Sequence, residues 1–125
     1  MREAIRVLVV DDDPVILKLL QVNFEMEGFA VLTAPDGVEG LQAAQDSQPD
    51  VVICDVMMPH MNGIEMVAAL SAGVDTDAIP VILLSARAQE DDVAEGMHAG
   101  ADAYVTKPFD PIELIDQVHL LLARP

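Results

Sequence analysis

The sequence is poor in residues that support several common kinds of site. Its 125 residues contain no Trp, one Tyr, one Cys and only six Lys and Arg residues. The single cysteine, Cys54, excludes an intramolecular disulfide, and no cluster of Cys and His residues has the spacing of a zinc site. With so few aromatic residues, aliphatic side chains and the seven methionines must fill the core.

Basic residues and long apolar runs are also scarce. Six Lys and Arg residues face 22 Asp and Glu residues, for a formal net charge of −16, whereas nucleic-acid binding depends on Lys and Arg at phosphates. The same charge opposes binding of a phosphoryl group unless a cation intervenes. No apolar stretch reaches membrane-spanning length, and the first residues lack a signal-peptide core. We therefore predict a soluble cytoplasmic protein that binds neither membranes nor nucleic acid directly.

Apolar runs of strand length alternate with segments of helical periodicity along the whole chain. Strands are predicted at residues 5–10, 29–33, 50–55, 80–84 and 103–106, each followed by a helix. Helix starts are indicated at Asp13, Asp36 and Asp110, where an acidic residue precedes Pro or Gly. This order predicts one domain over residues 1–125, a doubly wound α/β sandwich with a parallel sheet.

Polar side chains follow the carboxyl ends of four predicted strands. Because all strands of a parallel sheet end at the same rim, residues far apart in sequence are brought together there. The third strand, Val51–Asp55, is apolar until its final carboxylate, which is costly to bury. The residues expected to meet at this rim are Asp11, Asp12, Asp55, Ser85 and Lys107.

These residue types suit transfer of a phosphoryl group to a carboxylate. Three close carboxylates raise one another's pKa values unless a cation lies among them, and hard oxygen ligands favour Mg²⁺. Asp55 is the expected nucleophile, with the metal neutralising the incoming oxygens. Lys107 and Ser85 are expected to contact the transferred phosphoryl group.

Several short segments together resemble the CheY-like receiver domain of two-component response regulators. The resemblance covers essentially the whole chain and implies a flavodoxin-like sandwich of five βα units with strand order 2-1-3-4-5. It also implies phosphoryl transfer to Asp55 from a sensor histidine kinase or phosphotransferase, and slow self-dephosphorylation. The matching segments are Asp11–Asp12, Cys54–Pro59, Asn62–Gly63, Ser85–Ala86, Gly100–Tyr104 and Lys107–Phe109.

The resemblance assigns further roles around Asp55. Asp12 is expected to bind the metal directly, Asp11 mainly through water, and Met57 through its backbone carbonyl. The metal is expected to be Mg²⁺, with Mn²⁺ or Ca²⁺ able to substitute. Met57 and Arg87 are expected to tune the lifetime of the phosphoryl group.

The resemblance also implies how the signal leaves the site. Ser85 and Tyr104 are expected to form a switch pair, and the Lys107–Pro108 bond to be cis. The switch is expected to alter the face made by the fourth helix, fifth strand and fifth helix, which contacts a downstream protein or output domain. Because Arg124 is the only base on the last helix, dimerisation through acid–base pairs on this face is not expected.

Other interpretations of these residues stay open. The chain could be a docking module that is never phosphorylated, or a phosphatase of the haloacid-dehalogenase kind, although Met57 stands where such enzymes carry a second Asp. A nucleotide binder is disfavoured because Asp11–Asp13 would repel phosphate. Ser85 could simply belong to a turn, and Tyr104 could fill the sheet edge with its hydroxyl in water. No output domain is recognisable, which leaves a stand-alone protein or a part of a longer regulator.

Overall fold

The computed structural model describes residues 4–87 and 89–123, so Arg124 lies outside the described residues. Strands and helices alternate throughout. The strands are β1 (Arg6–Val10), β2 (Ala30–Ala34), β3 (Val51–Asp55), β4 (Val81–Ser85) and β5 (Ala103–Thr106). The helices are α1 (Pro14–Met26), α2 (Gly37–Ser47), α3 (Gly63–Ala72), α4 (Glu90–Ala99) and α5 (Pro111–Ala123).

The five strands form one parallel sheet in the order β2-β1-β3-β4-β5, which confirms the predicted fold. Its register sets the functional rim. Val10 pairs with Cys54, so the next residues along the two strands, Asp11 and Asp55, leave the sheet side by side. Ser85 pairs with Thr106, which places the start of the β5–α5 loop beside the end of β4.

Strand residues alternate between two hydrophobic cores, as the period of two in a strand requires. Val9 and Ile53 point to the face covered by α1 and α5, where Phe24 is buried. Val10 and Cys54 point to the opposite face, covered by α2, α3 and α4. The sheet is therefore buried on both faces, which explains why its central strands are nearly continuous apolar runs.

Four of the five strands begin or end one residue away from the predicted bounds, and three of these shifts have a local reason. The backbone N–H of Phe29 donates to the Phe24 carbonyl and so closes α1, and β2 begins only at Ala30. Asp50 precedes β3, and its carboxylate accepts a hydrogen bond from the Arg6 N–H. Ser85 is the last residue of β4, because its carbonyl accepts a ladder bond from the Lys107 N–H.

Side-chain caps fix most helix starts, and thereby the loops at the functional rim. Asp13 accepts a hydrogen bond from the Val15 N–H, and Asp36 accepts one from the Glu39 N–H. Asn62 and Glu65 form a reciprocal capping box at the start of α3. The predicted starts at Asp13 and Asp36 are confirmed. Within the described ranges, no helix has the length and apolarity needed to cross a membrane.

Candidate functional site

Three carboxylates meet at the carboxyl ends of β1 and β3. Each of Asp11, Asp12 and Asp55 offers an oxygen that lies within 4.8 Å of those of the other two. Asp11 and Asp55 are 1 % and 5 % exposed, whereas Asp12 is exposed. Asp11 also accepts a hydrogen bond from the Asp13 N–H, which fixes its carboxylate at the start of the β1–α1 loop. This acidic cluster could hold a metal ion.

One ammonium group lies against the cluster. Lys107 Nζ is 3.1 Å from Asp55 Oδ1 and 3.3 Å from Asp11 Oδ2. Its side chain reaches the site from the β5–α5 loop, where the Lys107–Pro108 peptide bond is cis, as the resemblance implied. The predicted gathering of Asp11, Asp12, Asp55 and Lys107 at one rim is therefore what the structure shows.

The pKa values of the two buried acids are raised mainly by burial. Burial raises the pKa of Asp55, and the Asp11 carboxylate raises it further, while Lys107 only partly offsets both effects. Burial likewise raises the pKa of Asp11. Burial lowers the pKa of Lys107, but its hydrogen bond and ion pair with Asp55, together with the Asp11 charge, outweigh this and raise it. One ammonium does not neutralise the cluster, so a bound cation would be favourable.

Cys54 lies beside Asp55, but its thiol is unreactive. It is fully buried, and burial together with the charges of Asp55 and Asp11 raises the pKa of its thiol far above the usual range. Since the thiolate is the reactive form, Cys54 serves as a small core residue under the site.

Ser85 is linked to Tyr104 by two hydrogen bonds, both made by the backbone of Arg87. The Arg87 N–H donates to Ser85 Oγ at 3.0 Å, and the Tyr104 hydroxyl donates to the Arg87 carbonyl at 2.9 Å. Ser85 is fully buried, and Tyr104 is half-buried. The Tyr104 hydroxyl thus has a backbone partner, at an exposed position. Sequence reasoning did not find the role of Arg87 because only its backbone takes part.

Two exposed residues follow strand ends at this rim. Met57, two residues after Asp55 at the end of β3, is 52 % exposed, and Arg87, two residues after Ser85 at the end of β4, is also exposed. His60, His98 and His119 are all exposed.

A close approach of backbone segments at Gly63 was not predicted, although Asn62–Gly63 was noted as a matching segment. A Cβ at Gly63 would lie 2.9 Å from the Val56 Cα, so only glycine lets α3 start directly against the end of β3. The Gly63 N–H donates to the Val56 carbonyl, which closes the loop that carries Met57.

Comparisons with known proteins identify the family to which this fold and site belong. Residues 7–119 match the response regulator receiver domain family, and the chain belongs to it. This membership places the chain among signal-receiving domains rather than conventional enzymes.

Individual relatives and solved structures agree with that assignment. The chain is 44 % identical over 124 residues to the transcriptional regulatory protein CseB of Streptomyces avermitilis, covering 99 % of this chain and 52 % of the relative. It is 46 % identical over 119 residues to the transcriptional regulatory protein PrrA of Mycobacterium tuberculosis, covering 95 % and 50 %. The chain thus spans about half the length of these curated relatives.

Among solved structures, the chemotaxis response regulator CheY4 of Vibrio cholerae superposes with a TM-score of 0.89 at 33 % identity, covering 94 % of this chain and 98 % of that one. The receiver domain of the Francisella response regulator 1452 gives a TM-score of 0.88 at 38 % identity, covering 94 % and 95 %.

Proposed function

We propose that Asp55 is the phosphoacceptor of this receiver domain and takes its phosphoryl group from a phosphohistidine on a sensor kinase or phosphotransferase. The observation that carries the proposal is the position of the Asp55 carboxylate, which has an oxygen within 4.8 Å of those of Asp11 and Asp12 and lies 3.1 Å from Lys107. A nucleophilic carboxylate needs a partner for the incoming phosphoryl oxygens and relief from charge repulsion. Lys107 is the partner, and a cation bound by the three acids would relieve the repulsion.

The donor atoms suit Mg²⁺, which prefers hard oxygen ligands. Asp12 and Asp55 would hold the ion with their carboxylates, Asp11 mainly through water, and Met57 with its backbone carbonyl; Mn²⁺ or Ca²⁺ could substitute. When bound, the metal would neutralise charge that develops on the phosphoryl oxygens. The fit rests on the donor set, since oxygens of the three carboxylates lie within 4.8 Å of one another.

In the transfer itself, an Asp55 carboxylate oxygen attacks phosphorus and the P–N bond to the donor imidazole breaks. The bonding electron pair returns to the imidazole nitrogen, which takes a proton from water, and Asp55 becomes an acyl phosphate. The Lys107 ammonium, freed from its ion pair with Asp55, would then hold a phosphoryl oxygen. Water then attacks phosphorus, the P–O bond to Asp55 breaks, and inorganic phosphate leaves with the carboxylate restored. The phosphorylated state therefore limits its own lifetime. Met57 and Arg87 would border the path by which that water approaches.

Ser85 and Tyr104 would carry the change outward. Once phosphate is attached, the Ser85 hydroxyl can donate to a phosphoryl oxygen, and rotation of the side chain toward that oxygen would break the bond that it accepts from the Arg87 N–H. Because Arg87 also holds the Tyr104 hydroxyl, the ring and the adjacent α4–β5–α5 face would respond together. This response depends on occupancy of Asp55, which makes the domain a switch.

The partners of the domain and its location in the cell belong to the same proposal. We propose that residues 1–125 form one receiver unit acting in the cytoplasm, as befits a family that receives phosphoryl groups from sensor kinases. CseB and PrrA are transcriptional regulatory proteins about twice as long as this chain. A downstream protein or an output domain is therefore the expected recipient of the signal, without direct binding of nucleic acid by this domain.

Incubation with acetyl phosphate and Mg²⁺, followed by intact mass measurement, tests the proposal. Wild-type protein should gain one phosphoryl group, and Asp55→Asn should gain none. Asp116→Asn, an exposed acid on α5, is the matched control and should behave as wild type. A wild-type chain that gains nothing from acetyl phosphate or from a phosphohistidine donor would favour the docking module instead, whereas steady release of phosphate from assorted monoesters would favour a phosphatase.

A further inference from the structure

The ring of Tyr104 lies against a glycine in the middle of α4. A Cβ built on Gly96 would lie 3.0 Å and 3.2 Å from two ring carbons of Tyr104, and 2.9 Å from the Leu83 Cδ1. These distances are shorter than the usual contact between carbon atoms, about 3.5–4.0 Å. The ring therefore occupies space that any other residue at position 96 would fill.

Helix propensity does not account for a glycine at this position. Gly96 lies inside α4, which spans Glu90–Ala99, and glycine in a helix interior is less favourable than alanine. Gly96 is also the buried residue of this otherwise largely exposed helix. The helix thus meets the sheet at a point without a side chain, and the Tyr104 ring is one of the groups that fill the space.

We propose that Gly96 is a positioning residue that seats the Tyr104 ring against α4, so that the Tyr104 hydroxyl reaches the Arg87 carbonyl. A methyl group at position 96 would push the ring or the helix aside. The 2.9 Å bond to Arg87 would then be lost, and with it the link from Tyr104 to Ser85 through the Arg87 N–H. Gly96 would thereby determine whether events at Ser85 are transmitted to α4. The position of the Tyr104 ring against Gly96 is argued from geometry alone, whereas its consequence for regulation rests on the proposed function.

Tyr104 reports directly on this seating, because the chain contains one Tyr and no Trp. Its intrinsic fluorescence should therefore arise from a single known ring. In Gly96→Ala without any phosphoryl donor, we expect altered emission and stronger quenching by acrylamide, because the ring is displaced toward solvent. Ala94→Gly is the matched control: Ala94 is exposed on the same helix, and this change alters helix propensity away from the ring.

The control should leave the emission and quenching of wild type unchanged. If Gly96→Ala instead keeps wild-type emission and quenching, and is stabilised as helix propensity predicts, the proposal is wrong. A change of equal size in Ala94→Gly would likewise overturn it, since general loosening of α4 would then explain the signal.

Acetyl phosphate and Mg²⁺ separate the seating from the proposed function. At equal phosphoryl occupancy by intact mass, wild-type emission should change and the change should be lost in Gly96→Ala. A wild type that gains mass without any change of emission would refute the switch role of Tyr104, and a wild type that gains no mass would refute Asp55 as acceptor. In both cases the resting emission and quenching of Gly96→Ala still decide whether Gly96 seats the ring.

A double-mutant cycle with Tyr104→Ala gives an answer that does not depend on fluorescence. Unfolding by urea followed by circular dichroism needs no tyrosine signal. We expect Gly96→Ala to cost less stability when the Tyr104 ring is absent, because the clash is then relieved. An equal loss in both backgrounds would assign the clash to Leu83 and overturn the proposal.

Discussion

Lys107 and Asp55 form a 3.1 Å ion pair although their strands are not neighbours, since β4 lies between β3 and β5. The lysine bridges this gap from the β5–α5 loop and also contacts Asp11 at 3.3 Å. Both acids are buried and the Lys107 side chain is only 23 % exposed, so water screens these charges weakly. Lys107 therefore occupies the position from which it can exchange a carboxylate partner for a phosphoryl oxygen.

Removing the ammonium should separate metal binding from phosphoryl transfer. In Lys107→Met, phosphorylation of Asp55 by acetyl phosphate should slow by about 10²-fold or more, as when a preorganised donor is removed from a developing charge. Mg²⁺ affinity, measured by calorimetry, should hold or tighten, because a competing positive charge has gone. Lys18→Met is the control, since Lys18 is the other lysine and lies exposed on α1. A large loss of Mg²⁺ affinity with unchanged transfer would contradict this assignment.

The meeting of these residues at one rim was predictable because all strands of a parallel sheet end at the same edge. Asp11, Asp55 and Lys107 each directly follow or end an apolar run of strand length, so their meeting followed from the fold class. The caps at Asp13 and Asp36 were predictable for a similar reason, since an acidic residue before Pro or Gly is a local signal. The strand order came from the family resemblance.

What the sequence could not predict depends on contacts between backbone and distant side chains. The Tyr104 hydroxyl meets the carbonyl of Arg87, and no side-chain pattern marks a carbonyl as a partner. Gly96 resembled an ordinary helix residue, although its missing Cβ is what the Tyr104 ring requires. The ion pair between Lys107 and Asp11 was likewise hidden, because the length and direction of a lysine side chain are set only in three dimensions.

The raised pKa values of Asp11 and Asp55 predict how stability depends on pH. Both lie above the ordinary value of 3.8, mainly because of burial, so the folded state keeps protons that the unfolded chain has released. Without metal, this contribution to stability is fully present below pH 3.8 and is lost as pH rises through the raised folded values. Asp55→Asn should therefore be more stable than wild type at neutral pH, on the order of 1 kcal/mol.

Urea unfolding at several pH values checks this prediction. The advantage of Asp55→Asn should shrink as pH falls toward 3.8, where the wild-type carboxyl becomes protonated. Mg²⁺ should stabilise wild type more at neutral pH than in acid, because protons compete with the metal for the same oxygens. An advantage that is independent of pH, or a less stable Asp55→Asn, would show that the buried charge of Asp55 is not the cause.

The capping box at α3 should contribute measurably to stability. Asn62 accepts a hydrogen bond from the Glu65 N–H at 2.8 Å, and the Glu65 carboxylate accepts one from the Asn62 N–H at 3.0 Å. Asn62→Ala should cost about 1 kcal/mol in the free energy of unfolding. Asn23→Ala, at a half-buried position within α1 where the amide donates to the Leu19 carbonyl, should cost less because alanine suits a helix interior. Equal losses in urea unfolding would argue against the cap.

The two acids after β1 should differ in their effect on metal binding. Asp12 is exposed and makes no ion pair with Lys107, whereas Asp11 is buried and committed to Lys107 and the Asp13 N–H. Asp12→Asn should therefore weaken Mg²⁺ binding by about 10-fold or more, since a loss of that size follows even when a residue that only hydrogen-bonds a metal ligand is changed. Asp11→Asn should weaken Mg²⁺ binding less. Calorimetric titration measures both. Equal and negligible losses of Mg²⁺ affinity would show that this cluster does not bind the metal.

Met57 should set how long the phosphoryl group survives on Asp55. Its thioether is 52 % exposed beside the acceptor and is too weak an acceptor to orient water. Met57→Asn introduces an amide that can hold water near phosphorus, and we expect faster loss of the group, by up to about 10²-fold if the water is well positioned. The decay of the phosphorylated mass after removal of acetyl phosphate measures this rate.

The matched control for the lifetime is Met26→Asn. Met26 is 80 % exposed and ends α1, at the opposite rim of the sheet from Asp55. It should decay like wild type, because the same chemical change is made far from the phosphoryl group. If Met57→Asn also decays like wild type, water does not approach Asp55 past this side chain. The exposed Arg87 side chain, on the other flank of the site, would then be the next residue to change.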